Sequence, residues 1–407
     1  MDKQKLIFLA VSATLLLWSV RLIPKRAFPM AHISVAVASD IHYLSPSLTD
    51  YGSGFHYLTE NGDGKDLLHG EEITDAFLEC MRETKPNALL ITGDLTLNGA
   101  RESHVALIKK LMPLLDSGIR VLVLPGNHDL NNHMAASFFD DTYKQEENID
   151  KEGFTELYAP FGYSDALSRD SDSLSYIVEL IPGLRVLMLD VNGTMEPGTL
   201  SEETLLWARK QLEEARRQGA RVIAASHQTI LDHDSVFTEG SQMQGADKLE
   251  EIYEQYHVIC NFSGNMHVQH IEEGRNFPEI ASSCLLTWPI QYGMLSMDGN
   301  SAHYYTIPVE PEGEITQEAY WLLWNIAYRK AGAELTSGAT VASGVDGLCS
   351  FFAGVNTRYV AGLGHTIHWD DVAMREWQER GAGLAAYLEA IHADGGRNWT
   401  EYRFQFR

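Results

Sequence analysis

Cysteine is scarce in this sequence, and several well-known catalytic motifs are missing from it. The chain has four cysteines in 407 residues, and none of them forms a Cys-x-x-Cys pair. This argues against a thiolate zinc site and against a dithiol redox motif. A P-loop, a Gly-x-Ser-x-Gly elbow and a Gly-x-Gly-x-x-Gly motif are also absent. Their absence disfavours P-loop nucleotide hydrolases, serine hydrolases and dinucleotide-binding oxidoreductases.

Positively charged residues are also scarce. The sequence has 31 Lys+Arg against 56 Asp+Glu, which gives a net charge of −25. Such a surface repels nucleic-acid polymers and anionic membranes, so neither is an expected partner. A small anionic substrate remains compatible with this charge if a local cation offsets the field. The composition otherwise resembles that of a globular protein, with 44% hydrophobic and 21% charged residues.

Long hydrophobic runs are lacking except at the N-terminus. There, a basic start is followed by a mostly apolar run from Leu6 to Val20. The run is shorter than the roughly 20 residues of a membrane-spanning helix and is typical of a secretory leader. We therefore expect residues 1–30 to be a signal peptide or an uncleaved signal anchor. The rest of the chain is then extracytoplasmic, either secreted or tethered to the outer face of the membrane.

Short apolar runs alternate with helical patterns in the remainder of the sequence. The predicted strands are Ile33–Ala38, Ala88–Thr92, Val121–Pro125, Val186–Asp190, Val222–Ser226 and Val258–Phe262. This alternation predicts a layered α/β domain. A cluster of Pro, Gly and Glu near residue 310 is followed by mostly helical patterns. We therefore predict a catalytic domain at 31–310 and a helical appendage at 311–407.

Each of five predicted strands ends in a polar motif. In chain order the motifs are Asp40-Ile41-His42, Gly93-Asp94, Gly126-Asn127-His128-Asp129, Ser226-His227 and Gly264-Asn265-Met266-His267. Open α/β sheets place their sites at the carboxyl ends of strands. Carboxylate, imidazole and amide ligands suit Mn, Fe, Zn and similar ions. Two such ions can clamp the attacking and leaving oxygens of a phosphoryl displacement.

This ordered set resembles the motifs of the calcineurin-like metallophosphoesterases over roughly residues 32 to 300. Within that family the chain looks most like exported bacterial members close to class III cyclic-nucleotide phosphodiesterases with an extra helical domain. The resemblance implies a four-layer αββα sandwich with a C-terminal, mostly helical appendage.

The resemblance also implies a role for each motif residue. One divalent metal ion would be held by Asp40, His42, Asp94 and His267, with Asp94 bridging to a second ion. That second ion would be held by Asn127, His227 and residue 265. His128 would protonate the leaving alkoxide, a metal-bridging hydroxide would attack phosphorus, and Asp129 is a further expected catalytic residue.

Asn265 departs from the family pattern, which has histidine at this position. The substitution has three competing explanations: an engineered exchange, a natural enzyme with a weakened second metal site, or loss of catalysis with binding retained. The intact remainder of the motif set disfavours the third explanation. We expect reduced occupancy of the second site and reduced turnover.

The expected function is dinuclear metal-dependent hydrolysis of a small phosphodiester, with a cyclic nucleotide as one candidate. One alternative is a phosphomonoesterase or nucleotidase using the same site. The other is a catalytically impaired surface protein that binds a phosphorylated ligand. Neither the natural substrate nor an oligomeric state is predicted.

Overall fold

The computed structural model describes residues 32–233, 241–336, 345–380 and 382–406. The strands are β1 (Ile33–Ala38), β2 (Ala88–Ile91), β3 (Arg120–Val123), β4 (Ala136–Phe139), β5 (Thr142–Gln145), β6 (Ser168–Arg169), β7 (Tyr176–Ile181), β8 (Leu184–Leu189), β9 (Arg221–Ser226), β10 (Asn261–Ser263), β11 (His270–Glu273), β12 (Pro278–Ala281), β13 (Gln291–Asp298), β14 (Ser301–Pro308) and β15 (Glu401–Gln405). The α-helices are α1 (Ser53–Glu60), α2 (Gly70–Thr84), α3 (Arg101–Asp116), α4 (Lys151–Leu157), α5 (Glu202–Gln218), α6 (Ala246–Tyr256), α7 (Ile315–Thr336), α8 (Val345–Val360), α9 (Asp371–Arg380) and α10 (Ala382–Asp394).

Within the described residues, the strands form two mixed sheets and a separate β4–β5 hairpin. The first sheet has the order β15-β14-β13-β1-β2-β3, and the second has the order β11-β12-β10-β9-β8-β7-β6. Strands β1, β2 and β3 run parallel, as do β8, β9, β10 and β12. The parallel strands of each sheet therefore have their carboxyl ends on a common edge.

Side-chain alternation in the second sheet shows how the layers pack. Val178 and Val186 belong to the core shared with the first sheet. Their neighbours Ile177 and Leu187 point into a second core that includes α5 and α6. Successive strand residues face opposite sides, so one face of this sheet packs on the first sheet and the other on helices. Helices α2 and α3 pack against the first sheet. The predicted αββα sandwich is confirmed.

Helix α5 shows how closely local signals match the structure. Ser201 caps the helix, and its hydroxyl accepts a hydrogen bond from the Thr204 amide at 3.1 Å. Gly219 ends the helix in the left-handed conformation, with φ of 75°. A side chain there would be strained, which is why glycine commonly ends helices. Both ends thus lie at residues whose types favour a helix start and a helix stop.

The C-terminal region is mostly helical but also contributes to the first sheet. Helices α7 to α10 follow one another, and β15 then pairs antiparallel with β14. The last strand was not predicted, because its side chains alternate between exposed and half-buried positions at a sheet edge. The domain boundary near residue 310 stays a prediction.

Three further segments differ from the sequence-based expectation. The polar, glycine-rich segment from Ser45 to Lys65 contains helix α1, and neither this helix nor the β4–β5 hairpin was predicted. The strand expected at Val258–Phe262 is β10 at Asn261–Ser263. Val258 and Ile259 are buried and precede β10, and the Ile259 amide donates to the Val222 carbonyl of β9 at 2.8 Å.

The predicted leader at residues 1–30 lies outside the described residues. Signal-peptide, anchoring and extracytoplasmic assignments therefore stay predictions. In the part of the chain that the structure describes, no helix is both long enough and apolar enough to cross a membrane.

A buried carboxylate fixes the segment that follows β9. Glu279 on β12 is fully buried and accepts hydrogen bonds from the Ile230 and Leu231 amides at 2.6–3.0 Å. It also accepts one from Asn261 Nδ2 at 2.7 Å. Because these donors have left water, each needs an acceptor inside the protein. Glu279 thus holds in place the chain just beyond His227.

We predict that Glu279→Ala lowers the free energy of unfolding by about 3 kcal/mol, since it leaves buried donors unpaired and opens a cavity. Glu279→Gln keeps one acceptor oxygen and should therefore lower the free energy of unfolding by less. Urea unfolding followed by circular dichroism measures both. Glu272→Ala, on the neighbouring strand, is the matched control. Equal stability of Glu279→Ala and this control would contradict the assignment.

Candidate metal centre

The predicted site residues come together where the two sheets meet. Asp40 follows β1, Asp94 follows β2 and Asn127 follows β3, while His227 and His267 follow β9 and β10 of the other sheet. The strand ends are also joined by backbone hydrogen bonds. The Asp40 amide donates to the Gly93 carbonyl at 3.1 Å and the Gly264 amide to the His227 carbonyl at 2.9 Å. The backbone therefore fixes the spacing of the functional side chains.

The backbone at the site is strained. Five residues of the predicted metal motifs have left-handed φ values between 44° and 65°: Asp40, His42, Asp94, Asn265 and His267. Such conformations are uncommon for residues other than glycine and cluster at functional sites. They turn the side chains inward immediately after each strand.

Two glycines allow this close approach. Gly93 has φ of 104°, and a Cβ atom there would lie 2.5 Å from His227 Nδ1. A Cβ atom at Gly126 would overlap the Asp94 carboxylate. Both glycines are thus required for the backbone to pass beside the ligating groups.

The first ligand cluster contains Asp40, His42, Asp94 and His267. One ligand atom from each lies within 4.8 Å of all the others. His267 Nε2 is 3.2 Å from Asp40 Oδ1 and 3.1 Å from His42 Nε2, and His42 Nε2 is 3.7 Å from Asp94 Oδ2. Asp40, His42 and Asp94 are buried and His267 is mostly so. Four lone-pair donors thus converge on one small volume.

A second group shares Asp94 with the first cluster. His227 Nε2 lies 3.0 Å from Asn127 Oδ1 and 3.5 Å from Asp94 Oδ1. The two carboxylate oxygens of Asp94 therefore face different sets of imidazoles. This is the placement expected of a carboxylate that bridges two ions.

Hydrogen bonds fix which imidazole nitrogen is available in each set. His227 Nδ1 donates to the Thr92 carbonyl at 2.8 Å, which leaves Nε2 free to ligate. His267 Nδ1 lies 3.3 Å from Asp63 Oδ2, so its Nε2 is likewise directed at the cluster. A carboxylate or carbonyl behind a ligating histidine is a common feature of metal sites.

The protonation of these groups reflects their mutual contacts. Burial lowers the pKa of His227, but the Asp94 carboxylate outweighs it and raises the value to about 9. Burial also lowers the pKa of His267, but the carboxylates of Asp40 and Asp63 outweigh it and raise the value to about 9. For Asp94, burial is overcome by His227 and His42, and its pKa lies well below the usual range. The charged forms of His227 and His267 are thus favoured, whereas burial holds the pKa of His42 well below its usual value.

The donor set fits divalent metal ions. Buried carboxylates next to converging imidazole nitrogens need a cation to offset their charge. The Nδ1 of His42 has no hydrogen-bond partner among the described residues. Mn, Fe and Zn all accept such mixed ligands, so the donor set does not select one of them. The number and identity of the ions stay predictions.

Asn265 is placed at the site mainly by its backbone. Its amide donates to Asp40 Oδ2 at 3.1 Å, and its side-chain Nδ2 lies 3.4 Å from the Ser241 carbonyl. The amide nitrogen of the side chain thus has a partner away from the first cluster. An amide oxygen is also a weaker metal ligand than an imidazole.

His128 lies at the rim of the cluster. Its Nδ1 donates to the Leu97 carbonyl at 2.7 Å, and its Nε2 lies 3.9 Å from Asp94 Oδ2. The Leu97 carbonyl can only accept, so Nδ1 keeps its proton and Nε2 is the atom that exchanges one. The side chain is 36% exposed and therefore open to a substrate.

Asp129 does not fit the predicted catalytic role. It is completely buried and accepts hydrogen bonds from the Gly126, Leu95 and Thr96 amides at 2.9–3.0 Å. Burial and the nearby Asp94 raise its pKa to about 6, although these amides oppose the rise. Since its oxygens are used for backbone contacts, we correct its role to positioning of the loops that carry Asp94 and Asn127.

Three residues near the cluster were not singled out from the sequence as site residues. Asp63 and Lys65 form an ion pair at 2.9 Å beside His267. Cys284 Sγ donates to the Asp40 carbonyl at 3.0 Å, and burial raises the pKa of its thiol. The sequence carried only one hint, namely that the loop containing Asp63 follows the first metal motif.

Comparison with known proteins identifies related chains. The family described as Calcineurin-like phosphoesterase matches residues 33–269. A probable glycerophosphodiester phosphodiesterase of Arcobacter nitrofigilis is 32% identical over 37% of this chain and 46% of its own length. A probable cyclic nucleotide phosphodiesterase of Vesicomyosocius okutanii is 42% identical over 14% of this chain and 24% of its own. The matches thus span less than half of these curated relatives.

A solved structure is also similar. A dimetal phosphatase from Danio rerio aligns with a TM-score of 0.48 at 12% identity, and the alignment covers 70% of this chain and 100% of that one.

We predict that Asp63→Asn weakens Mn²⁺ binding by about 10-fold to 100-fold, because His267 loses the carboxylate that orients it. Isothermal titration of the metal-free protein with Mn²⁺ measures the change. Glu60→Gln, an exposed acid close by in the chain, should bind as the unmodified protein does. Lys65→Gln removes one positive charge, and the double variant Asp63→Asn/Lys65→Gln has the net charge of the unmodified protein but lacks the carboxylate that orients His267. Comparing them with Asp63→Asn separates the effect of His267 orientation from the effect of net charge. If the double variant regained full affinity, net charge and not orientation of His267 would be responsible.

We predict that Asn265→His raises the metal content toward two ions per chain and increases turnover, because imidazole is the stronger ligand. Elemental analysis and phosphoester hydrolysis measure the two effects. Asn265→Gly adopts the left-handed backbone conformation without strain and removes the side-chain carboxamide, so its metal content and rate report what that carboxamide contributes. Unchanged stoichiometry and unchanged rate in Asn265→His would contradict the hypothesis of a weakened second site.

Proposed function

Since this chain belongs to the calcineurin-like phosphoesterase family, we propose that it is a dinuclear metal-dependent phosphodiesterase acting on a small phosphodiester. Hydrolysis would add water across one P–O bond and release an alcohol and a phosphomonoester. The named phosphodiesterases among its relatives support this reaction type.

One observation carries the proposal: converging ligand atoms lie beside an accessible imidazole. The atoms of Asp40, His42, Asp94 and His267 meet within 4.8 Å, and the partly exposed His128 lies at their edge. Bound metal ions would polarise the phosphoryl oxygens and lower the pKa of a bound water to about 7. The protein therefore needs no serine or cysteine nucleophile.

The residues of the chain have separate tasks in this reaction. Asp40, His42, Asp94 and His267 would hold one ion, and Asn127, His227 and the weaker ligand Asn265 would hold a second ion together with Asp94. The buried position of Asp94 and His42 keeps bulk water away from these ligands. Asp129 fixes the backbone on which Asp94 and Asn127 are mounted.

His128 supplies the proton that the leaving group needs. When the P–O bond breaks, the alcohol oxygen departs with the electron pair of that bond and must be neutralised. The Nε2 of a cationic His128 can give its proton to this oxygen, while Nδ1 stays bonded to the Leu97 carbonyl. General acid catalysis of this type contributes roughly 10²-fold to 10⁴-fold.

The substrate is proposed to be small because of the charge of the protein. A net charge of −25 repels a polyanion along its whole length, whereas a single phosphoester meets mainly the local metal charge. The same balance supports the proposal that nucleic-acid polymers are not partners. An extracytoplasmic location and a membrane tether through the N-terminal apolar segment are retained as proposals.

We predict that the Mn²⁺-loaded protein hydrolyses bis-p-nitrophenyl phosphate faster than p-nitrophenyl phosphate. On glycerol methyl phosphate, whose alkoxide leaving groups need a proton, His128→Ala should lose about 100-fold or more in kcat while keeping its metal, whereas the loss on bis-p-nitrophenyl phosphate should be smaller because p-nitrophenolate leaves without one. Absorbance of released p-nitrophenolate, chromatography of the released alcohol and elemental analysis measure these effects. His56→Ala, an exposed histidine on α1, is the control.

Three results decide between the alternatives. Preference for the monoester would favour a phosphomonoesterase. Absence of hydrolysis for both esters and for cyclic nucleotides, in Asn265→His as well, would contradict an enzymatic function. Full activity of His128→Ala would contradict its acid role.

A further inference from the structure

A cleft of about 810 Å³ opens beside His128 and is not used by the metal ligands. Its walls come from α1, from the loop with Asp63 and Lys65, and from the segment that leads into the β4–β5 hairpin. The volume lies within the roughly 300–1,000 Å³ of small-molecule sites. The cleft is therefore large enough for much more than a phosphoryl group.

Several large apolar side chains in this cleft lack a covering partner. Leu58 is 37%, Met134 63% and Tyr143 76% exposed, and all three line the cleft with Phe138. Grouped apolar side chains left open to water commonly mark a surface that binds something. Their position next to a catalytic imidazole indicates a ligand that takes part in the reaction.

A buried polar atom points to a second property of that ligand. Asn98 also lines the cleft, and it is only 6% exposed. Its Nδ2 donates to the Ala136 carbonyl at 3.3 Å, but its Oδ1 has no hydrogen-bond partner among the described residues. A buried carbonyl oxygen without a donor is costly, so a rotation of the Asn98 side chain that turns Oδ1 toward the cleft would let an N–H or O–H group of a ligand satisfy it.

The cleft on the other side of the site has a different chemistry. It measures about 850 Å³ and is lined by the carboxamides of Asn127, Asn192, Gln228, Gln244 and Asn265. Since His128 borders only the apolar cleft of these two, the alcohol that receives its proton would lie on the apolar side.

We propose that the apolar cleft is the leaving-group subsite, and that it selects phosphoesters whose alcohol carries an apolar ring with an adjacent N–H or O–H donor. The ring packs against Leu58, Phe138, Met134 and Tyr143, and the donor bonds to Asn98 Oδ1. Small polyol esters cannot fill this cleft. This inference rests on the proposed phosphodiesterase function and adds the class of alcohol that is released.

The test compares three diesters of methyl phosphate: the phenyl, 4-aminophenyl and glycerol esters, with alcohol release followed by chromatography. We expect KM to be lowest for the 4-aminophenyl ester. Leu58→Ser and Tyr143→Ser should raise KM for both aryl esters by about 10-fold with little change in kcat, and should leave the glycerol ester unaffected. Tyr57→Ser is the control, because Tyr57 is also on α1 and 70% exposed but does not line the cleft.

Asn98 is tested by the preference for the 4-aminophenyl over the phenyl ester, because a general loss of stability would affect both esters equally and leave their ratio unchanged. Asn98→Leu should reduce the preference for the 4-aminophenyl over the phenyl ester by about fivefold, whereas Asn98→Asp, which keeps an acceptor, should retain the preference. Hydrolysis of bis-p-nitrophenyl phosphate by every variant shows that the metal site is intact. If that ester is cleaved but Leu58→Ser and Tyr143→Ser change KM equally for the aryl and glycerol esters, the leaving-group subsite is contradicted while the proposed function stands. If it is not cleaved by the unmodified protein, the proposed function fails.

Discussion

The buried carboxylates of Asp40 and Asp94, held at the junction of two sheets, impose the main constraint on this structure. Two such groups cannot lie close together away from water unless positive charge or hydrogen-bond donors offset them. The described residues supply imidazoles, backbone amides and the Lys65–Asp63 pair around them. The rest of the site is arranged to make this concentration of negative charge tolerable.

The strained backbone follows from the same constraint. A side chain that continued the alternation of its strand would point into a sheet face and pack in a core. Left-handed φ values at Asp40, Asp94 and His267 break that alternation and direct the side chains to the common edge. The strain is held by hydrogen bonds between the loops, including those that the Leu95 and Gly126 amides donate to the Asp129 carboxylate. Strain that is held this rigidly would keep the proposed ligands in place before an ion binds.

The positions of the ligands could be predicted because each lies next to a buried strand. Strand hydrophobicity and the following polar motif are both local, and parallel strands bring their ends together without further information. The residues that support or extend the site could not be predicted in this way. Asp63 contacts His267 across a large separation in sequence, and Cys284 is brought to the Asp40 carbonyl by an isolated bridge between Ser39 and Cys284. Their neighbours in the sequence give no sign of these contacts.

The apolar cleft could not be predicted from the sequence for a related reason. Helix α1 lies in a polar, glycine-rich insertion, and the β4–β5 hairpin has an entirely exposed second strand. Helix α1 has only eight residues, of which Phe55 and Thr59 are buried, and its Leu58 faces the cleft and not a core. Amphipathic patterns report burial within the protein, and a subsite leaves its apolar residues unburied until a ligand covers them. A sequence pattern thus locates the proposed metal ligands, while the selectivity that we propose depends on exposed side chains such as Leu58 and Tyr143.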